Sequence, residues 1–305
     1  MTTIAGQQPT IAGPDLQATI QAWDQTAWSL AALALATRDD SPPELAAAAG
    51  ELLAVTGLTS APGGPLRGLG TATPGQISSQ AAAPLHQTSA LVSGRGISWN
   101  AQSDEALLAQ GNASAQGARP FAQFMLPMMG GLSGRLAAPG ARMLDVGTGV
   151  GGLAISFAEA FPHLHVLGID VLDRALALAR QAVAASDAAT RVTVRKMDVA
   201  GFADDTGFDI AWLPAPFIPQ PALSAGLPRV TAALRPGGWL MVGHGKFGGT
   251  PVEDALTRLK TIAYGGTPLD EAAACRLLRD AGLTSVWPVP TARRVPAITI
   301  GQKPA

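Results

Sequence analysis

Between Arg142 and Gln302, short apolar runs alternate with amphipathic stretches. This alternation limits the possible folds more than any other feature of the chain. An apolar run ending in glycine or aspartate, followed by residues at helical spacing, reads as a buried strand returning through a helix. "RMLDVG" (142–147) is the first such strand, followed by a helix over 152–161 that Pro162 stops. "HVLGID" (165–170) is the second, followed by a helix over 173–186 with Asp173 as its N-cap. "RVTVRKMD" (191–198) and "FDIAWL" (208–213) are the third and fourth, and a helix over 221–234 follows, bent or broken near Pro228. "GGWLMVGH" (237–244) is the fifth, with helices over 252–263 and 269–281 after it. "TSVWPV" (284–289) and "AITIGQ" (297–302) close the series. Repeated strand–helix alternation predicts an α/β, doubly wound, mostly parallel sheet with helices on both faces. Ligands of such sheets bind outside the carboxyl ends of the strands. The residues to inspect are therefore Asp145 to Gly149, Asp170, Asp198, Leu213 to Phe217, and His244.

The first part of the chain is different. Leu16, Ile20, Trp23, Ala27 and Leu30 fall at helical spacing within 14–38, and 41–58 reads as a second helix with Ser41 as N-cap. Pro62 to Gly75 reads as loop, and 103–114 and 117–136 read as helices leading into the sheet. The expected division is an N-terminal, mostly helical domain over 1–135 and a sheet domain over 136–305. A net charge of -1 gives no field for nucleic acid or an anionic membrane. One cysteine, Cys275, and four scattered histidines make a disulfide framework or a dedicated metal site unexpected. "LAALALA" (30–36) is far short of the roughly 20 apolar residues that span a bilayer. The first residues show no basic and apolar leader pattern, so a cytoplasmic setting is expected.

Gly147, Gly149 and Gly152 fit G-x-G-x-x-G, which also serves dinucleotide pyrophosphates. Asp170 lies 21 residues beyond Gly149, where a carboxylate accepts bonds from ribose hydroxyls. Asp145 discriminates between cofactors. A carboxylate beside a pyrophosphate is repelled by about 4 kcal/mol at about 4 Å and an effective dielectric near 20. The same carboxylate suits the cationic S-adenosylmethionine, which has no phosphate. Asp198, ending the third strand, suits an adenine amino group.

At these residues, "LDVGTGVGG", "GID", "KMDV" and "LRPGGWL", with "CRLLRDAGL" (275–283) further on, resemble the successive motifs of class I S-adenosylmethionine-dependent methyltransferases. The resemblance covers 140–302. It implies a seven-stranded sheet in which "AITIGQ" runs antiparallel between strands five and six. It also implies cofactor contacts at Asp145, Gly147, Gly149, Asp170 and Asp198, with Val171 and Val199 flanking the adenine; Leu213 is assigned to the cofactor as well. The layout is similar to that of two-domain small-molecule methyltransferases, in which an N-terminal helical domain mediates dimerisation and covers the pocket.

Methyl transfer from a sulfonium needs alignment and exclusion of water, and a base only when the acceptor must lose a proton early. Strand four runs into "WLPAPFIPQP". "LPAPF" lacks the polar residue and paired prolines of the Asn/Asp-Pro-Pro-aromatic turn of amino-group methyltransferases. It also lacks the His that plant-type O-methyltransferases place after strand four. Trp212 and Phe217 are expected to wall an apolar substrate pocket. His244 is the candidate catalytic base, with Lys246 and Tyr264 as weaker candidates. Gln123, with Arg119, is expected to reach substrate or the cofactor carboxylate from the segment before the sheet. The function expected is methyl transfer to a small, largely apolar metabolite at oxygen, nitrogen or carbon. The same fold and cofactor serving a cyclisation or isomerisation, or noncatalytic binding, are the alternatives.

Overall fold

A computed structural model describes residues 15–38, 40–68, 73–94, 99–290 and 297–305. The chain forms two compact units, Met1–Thr88 and Ser89–Ala305. Composition suggested a change near residue 135. The structure groups 89–135 with the sheet unit, because this stretch packs along the helix that follows the glycine loop.

In the N-terminal unit, α1 (Leu16–Ala36) is capped by Asp15, which accepts from the Gln17 amide. α2 (Pro43–Val55) begins with prolines in its first turn. Ser41 does not cap it: its hydroxyl donates to the Leu35 carbonyl instead. Ala32 on α1 and Ala49 and Leu53 on α2 form a small buried cluster. The apolar series of α1 faces outward, with Leu16, Ile20 and Trp23 all exposed. α3 (Pro74–Val92) follows and carries Pro84 within it.

In the sheet unit, α4 (Asp104–Ala115) is capped by Ser103. The stretch expected as one helix over 117–136 is instead broken into α5 (Ala118–Pro120), a π turn over Phe121–Met125, a short turn over Leu126–Met128, and α6 (Leu132–Ala137). Pro127 and Gly131, the latter at φ 75°, supply the breaks. Seven strands follow: β1 (Ala141–Val146), β2 (Leu164–Asp170), β3 (Val192–Lys196), β4 (Phe208–Pro214), β5 (Leu234–His244), β6 (Thr284–Val289) and β7 (Ala297–Gln302). Their order is β3-β2-β1-β4-β5-β7-β6, with β7 antiparallel to both neighbours and the other pairs parallel. The interleaved helices are α7 (Gly152–Ala160), α8 (Asp173–Ala184), α9 (Gln220–Ala233), α10 (Pro251–Ala263) and α11 (Glu271–Asp280). α9 continues through Pro228 rather than breaking there. No helix among the described residues is long and apolar enough to cross a membrane.

Strand alternation gives the sheet two apolar faces. Met143, Ile210 and Met241 pack on one side with Phe121, Leu132 and Phe157. Leu144, Ala211, Leu213 and Val242 pack on the other with Leu223, Leu227 and Leu278. Asp145 and Trp212 are register partners on the first face. Burial on both sides fixes the strand register, because a slip of one residue would exchange the two faces.

Candidate cofactor cleft

The loop after β1 turns sharply. Gly147, Gly149 and Gly151 all have positive φ (66°, 56° and 82°), which glycine adopts without a Cβ penalty. Thr148 anchors the loop: its amide donates to the Ile169 carbonyl (3.0 Å) and its hydroxyl to Asp145 Oδ2 (2.7 Å). The Thr148 side chain lies where a Cβ on Gly168 would be, so Gly168 on β2 makes room for it.

Asp145 is 1% exposed, and burial raises its carboxyl to about 7, against the lowering effect of the Thr148 hydroxyl. Nearby Asp170 adds to the rise. Asp145 therefore lies beneath the loop rather than lining an open crevice. Asp170, at the end of β2, accepts from the Gly149 amide (2.8 Å) and the Leu172 amide (2.9 Å). Burial raises its pKa, and these backbone donors counter the shift. One carboxylate thus holds the glycine loop and the start of α8 in register. Val171 is 52% exposed beside it. Asp198 is exposed and accepts from the Ala200 amide (2.9 Å), capping the turn Val199–Gly201.

The remaining assigned residues are placed as follows. Val199 is buried against Gly226 of α9, where a Cβ would overlap it. Leu213 is fully buried on the α9 side of the sheet, opposite to Asp145. Gln123 and Arg119 are exposed on a segment that follows α7 downward. The neighbouring Phe121 packs on Phe157 and Phe161, toward the amino edge of the sheet and away from the glycine loop.

His244 ends β5 at the correct edge but is 1% exposed. Its Nδ1 meets the Gly245 carbonyl (2.9 Å) and its Nε2 the Thr299 hydroxyl (2.9 Å). Burial lowers its pKa. Both ring nitrogens are occupied, so no basic nitrogen is offered to an acceptor. It lines a cavity of about 200 Å³ with Lys246, Phe247 and Glu271.

Trp212 is half-buried, its indole over Gly243, where a Cβ would come within 2.6 Å of the ring. Phe217 belongs to a cluster that sequence reading did not assemble. Trp99 stacks on Tyr264 (5.1 Å, 8°), and Phe217 meets Trp99 (5.3 Å) and Tyr264 (5.5 Å) edge to face. Burial pushes the Tyr264 phenol up to about 12, so it remains protonated at neutral pH. Thr267 fastens the loop after α10 to this wall: its amide donates to the Ala215 carbonyl (2.9 Å) and its hydroxyl to the Ile218 carbonyl (2.8 Å). Trp99 also packs against the cluster of Leu107, Val150 and Ala175, as does Leu172, two residues after Asp170. Arg174 ties this region to α8, reaching the Gln102 carbonyl (2.7 Å) and Asp104 (2.6 Å). α4 meets the loop closely: a Cβ at Gly152 would overlap the Gly111 carbonyl, and one at Gly111 would overlap Val150.

The strand order β3-β2-β1-β4-β5-β7-β6 places the glycine loop, Asp170 and Asp198 along the carboxyl edge of the parallel strands. Residues 143–238 match the family described as a methyltransferase domain. That stretch is a methyltransferase domain, and the sheet around it has the class I methyltransferase fold. It is 32% identical over 114 residues to release factor glutamine methyltransferase of Rhodopirellula baltica, covering 37% of this chain and 38% of that protein. The chain thus spans under half the length of the curated relatives it matches, 38% and 46% of them. Over nearly its whole length it is similar in fold to two solved structures. One is an O-methyltransferase family protein from Burkholderia thailandensis (18% identity, 96% of this chain and 99% of that one, TM-score 0.64). The other is human N-acetylserotonin methyltransferase in complex with its methyl donor (14% identity, 98% and 100%, TM-score 0.64).

Proposed function

We propose that the protein transfers a methyl group from S-adenosylmethionine to a small, largely apolar metabolite. The observation that carries this reading is the make-up of the cleft: a backbone loop with positive φ at three glycines, surrounded by carboxylates. The cations near its rim are engaged, Arg174 with Asp104 and Lys196 with Asp173. Such a site suits a nucleoside with a cationic end and disfavours a pyrophosphate. Asp170, already oriented by two amides, would hold ribose hydroxyls, and Asp198 the adenine amino group. Asp145, below the loop, would favour the cationic end.

The bound cofactor supplies an electrophilic methyl on a sulfonium that is already a good leaving group. The chain's own contribution is alignment and exclusion of water. Trp99, Phe217 and Tyr264 form an apolar wall against which a flat acceptor can be held. His244 does not serve as base in this account, so the acceptor must be nucleophilic without early loss of a proton to that residue. Glutamine methylation, the activity in the name of the curated relatives, is not carried over. The position that an Asn or Asp would hold, near the end of β4, is the buried Leu213. The exposed Leu16, Ile20 and Trp23 of α1 support pairing of two copies through the N-terminal unit.

The test is incubation with methyl-labelled cofactor and a panel of small aromatic and aliphatic acceptors. Label in a product supports the proposal. Product without label would favour a cyclisation or isomerisation, and binding alone a noncatalytic role.

A further inference from the structure

The turn beginning at Trp99 contains two buried N–H groups that have no acceptor among the described residues, Trp99 Nε1 and Gln102 Nε2. Gln102 is 5% exposed. Folded proteins satisfy nearly all buried donors, so two orphans on one turn call for an explanation. Loose backbone does not provide it. The Gln102 amide donates to the Trp99 carbonyl (3.3 Å), and the Gln102 carbonyl accepts from Arg174 (2.7 Å). Arg174 also pairs with Asp104 at the start of α4 (2.6 Å). The turn is thereby fixed to the first turn of α8, which begins just after Asp170. The Trp99 ring packs against the cluster of Leu107, Val150 and Ala175, which Leu172 also borders. Both orphaned donors therefore belong to a turn docked between the glycine loop and the carboxylate that closes β2.

We propose that Trp99 and Gln102 are ligand-binding residues that donate to acceptor atoms of the nucleoside held between the Gly147–Gly151 loop and Asp170. The inference rests on the reading that this cleft binds S-adenosylmethionine. Ribose oxygens and purine ring nitrogens are acceptors of the required kind, and the carboxylates of the cleft cannot supply the complementary donors. Because the Trp99 ring also stacks on Tyr264 and meets Phe217, one side chain borders both the nucleoside and the acceptor wall.

Gln102→Leu and Trp99→Phe each keep most of the side-chain volume and delete the N–H. Two readouts are needed: calorimetric affinity for S-adenosylhomocysteine and the melting temperature of the ligand-free protein. Removing an orphaned donor should leave the ligand-free melting temperature unchanged or raised, while affinity falls about threefold to tenfold in each variant. Opposite movement of the two readouts is the expected signature. Unchanged affinity in both variants overturns the proposal. So does a parallel loss of melting temperature and affinity, which would make the donors structural. Failure of the wild type to bind S-adenosylhomocysteine would instead overturn the cofactor reading, and this inference with it.

Discussion

Asp145 should make the stability of the ligand-free protein fall as pH rises. Its carboxyl is buried, has the Thr148 hydroxyl as hydrogen-bond donor, and stands near Asp170. In the unfolded chain it titrates near the ordinary value of 3.8, and in the fold near 7. A folded pKa above the unfolded one means that the fold holds the proton longer. Stability is then highest below about 4 and declines as pH rises to about 7, beyond which the full penalty is present. A gap of about three pK units at 1.36 kcal/mol each is about 4 kcal/mol, an order-of-magnitude figure for one buried group. Asp145→Asn has no proton to lose. The assay is urea unfolding of wild type and variant from pH 4 to pH 8. The stability difference should shift by about 4 kcal/mol in the variant's favour across that range. The cationic cofactor should act in the opposite sense, favouring the carboxylate. Its binding near pH 6.5 should then release a proton from wild type and not from Asp145→Asn, read by calorimetry in buffers of different ionisation enthalpy. Parallel stability curves for the two proteins would refute the reasoning.

Three further outcomes follow. Asp170→Ala removes the acceptor shared by the Gly149 and Leu172 amides as well as the proposed ribose contact, so S-adenosylhomocysteine affinity measured by calorimetry should fall at least tenfold. His244→Ala should lower kcat only a few-fold and leave the acid limb of the kcat/KM profile where it is in wild type; loss of that limb would restore His244 as a base. Gly152→Ala places a methyl against the Gly111 carbonyl and should cost about 1–3 kcal/mol or more in denaturant unfolding, since two backbones must separate to admit it.

The sheet was legible because its signal is local. Short apolar runs mark the strands, with Gly147, Asp170 and Asp198 closing the first three, and β6 and β7 lie where the sequence places them. The glycine loop and Asp170 were legible for the same reason, since a turn needing positive φ leaves glycine behind. α3 went unread because it starts in a Gly/Pro-rich stretch and contains Pro84, features that argue against a helix. Leu213 could have been excluded by parity alone: Asp145 lies opposite Trp212, so the next residue points to the other face. His244 lies at the right edge, but the sequence does not reveal that Thr299, on the neighbouring strand β7, takes its second nitrogen. The aromatic wall had no signal of its own. Trp99, Phe217 and Tyr264 are far apart in the chain, and only the fold brings them together.

The central claim is that carboxylates around a glycine loop select a nucleoside with an ammonium end over a phosphate-bearing one. Titration of the wild-type protein with S-adenosylhomocysteine and with NAD, in the same buffer, by calorimetry tests it most directly. The account predicts saturable binding of S-adenosylhomocysteine and none of NAD. Binding of NAD without binding of S-adenosylhomocysteine would contradict it.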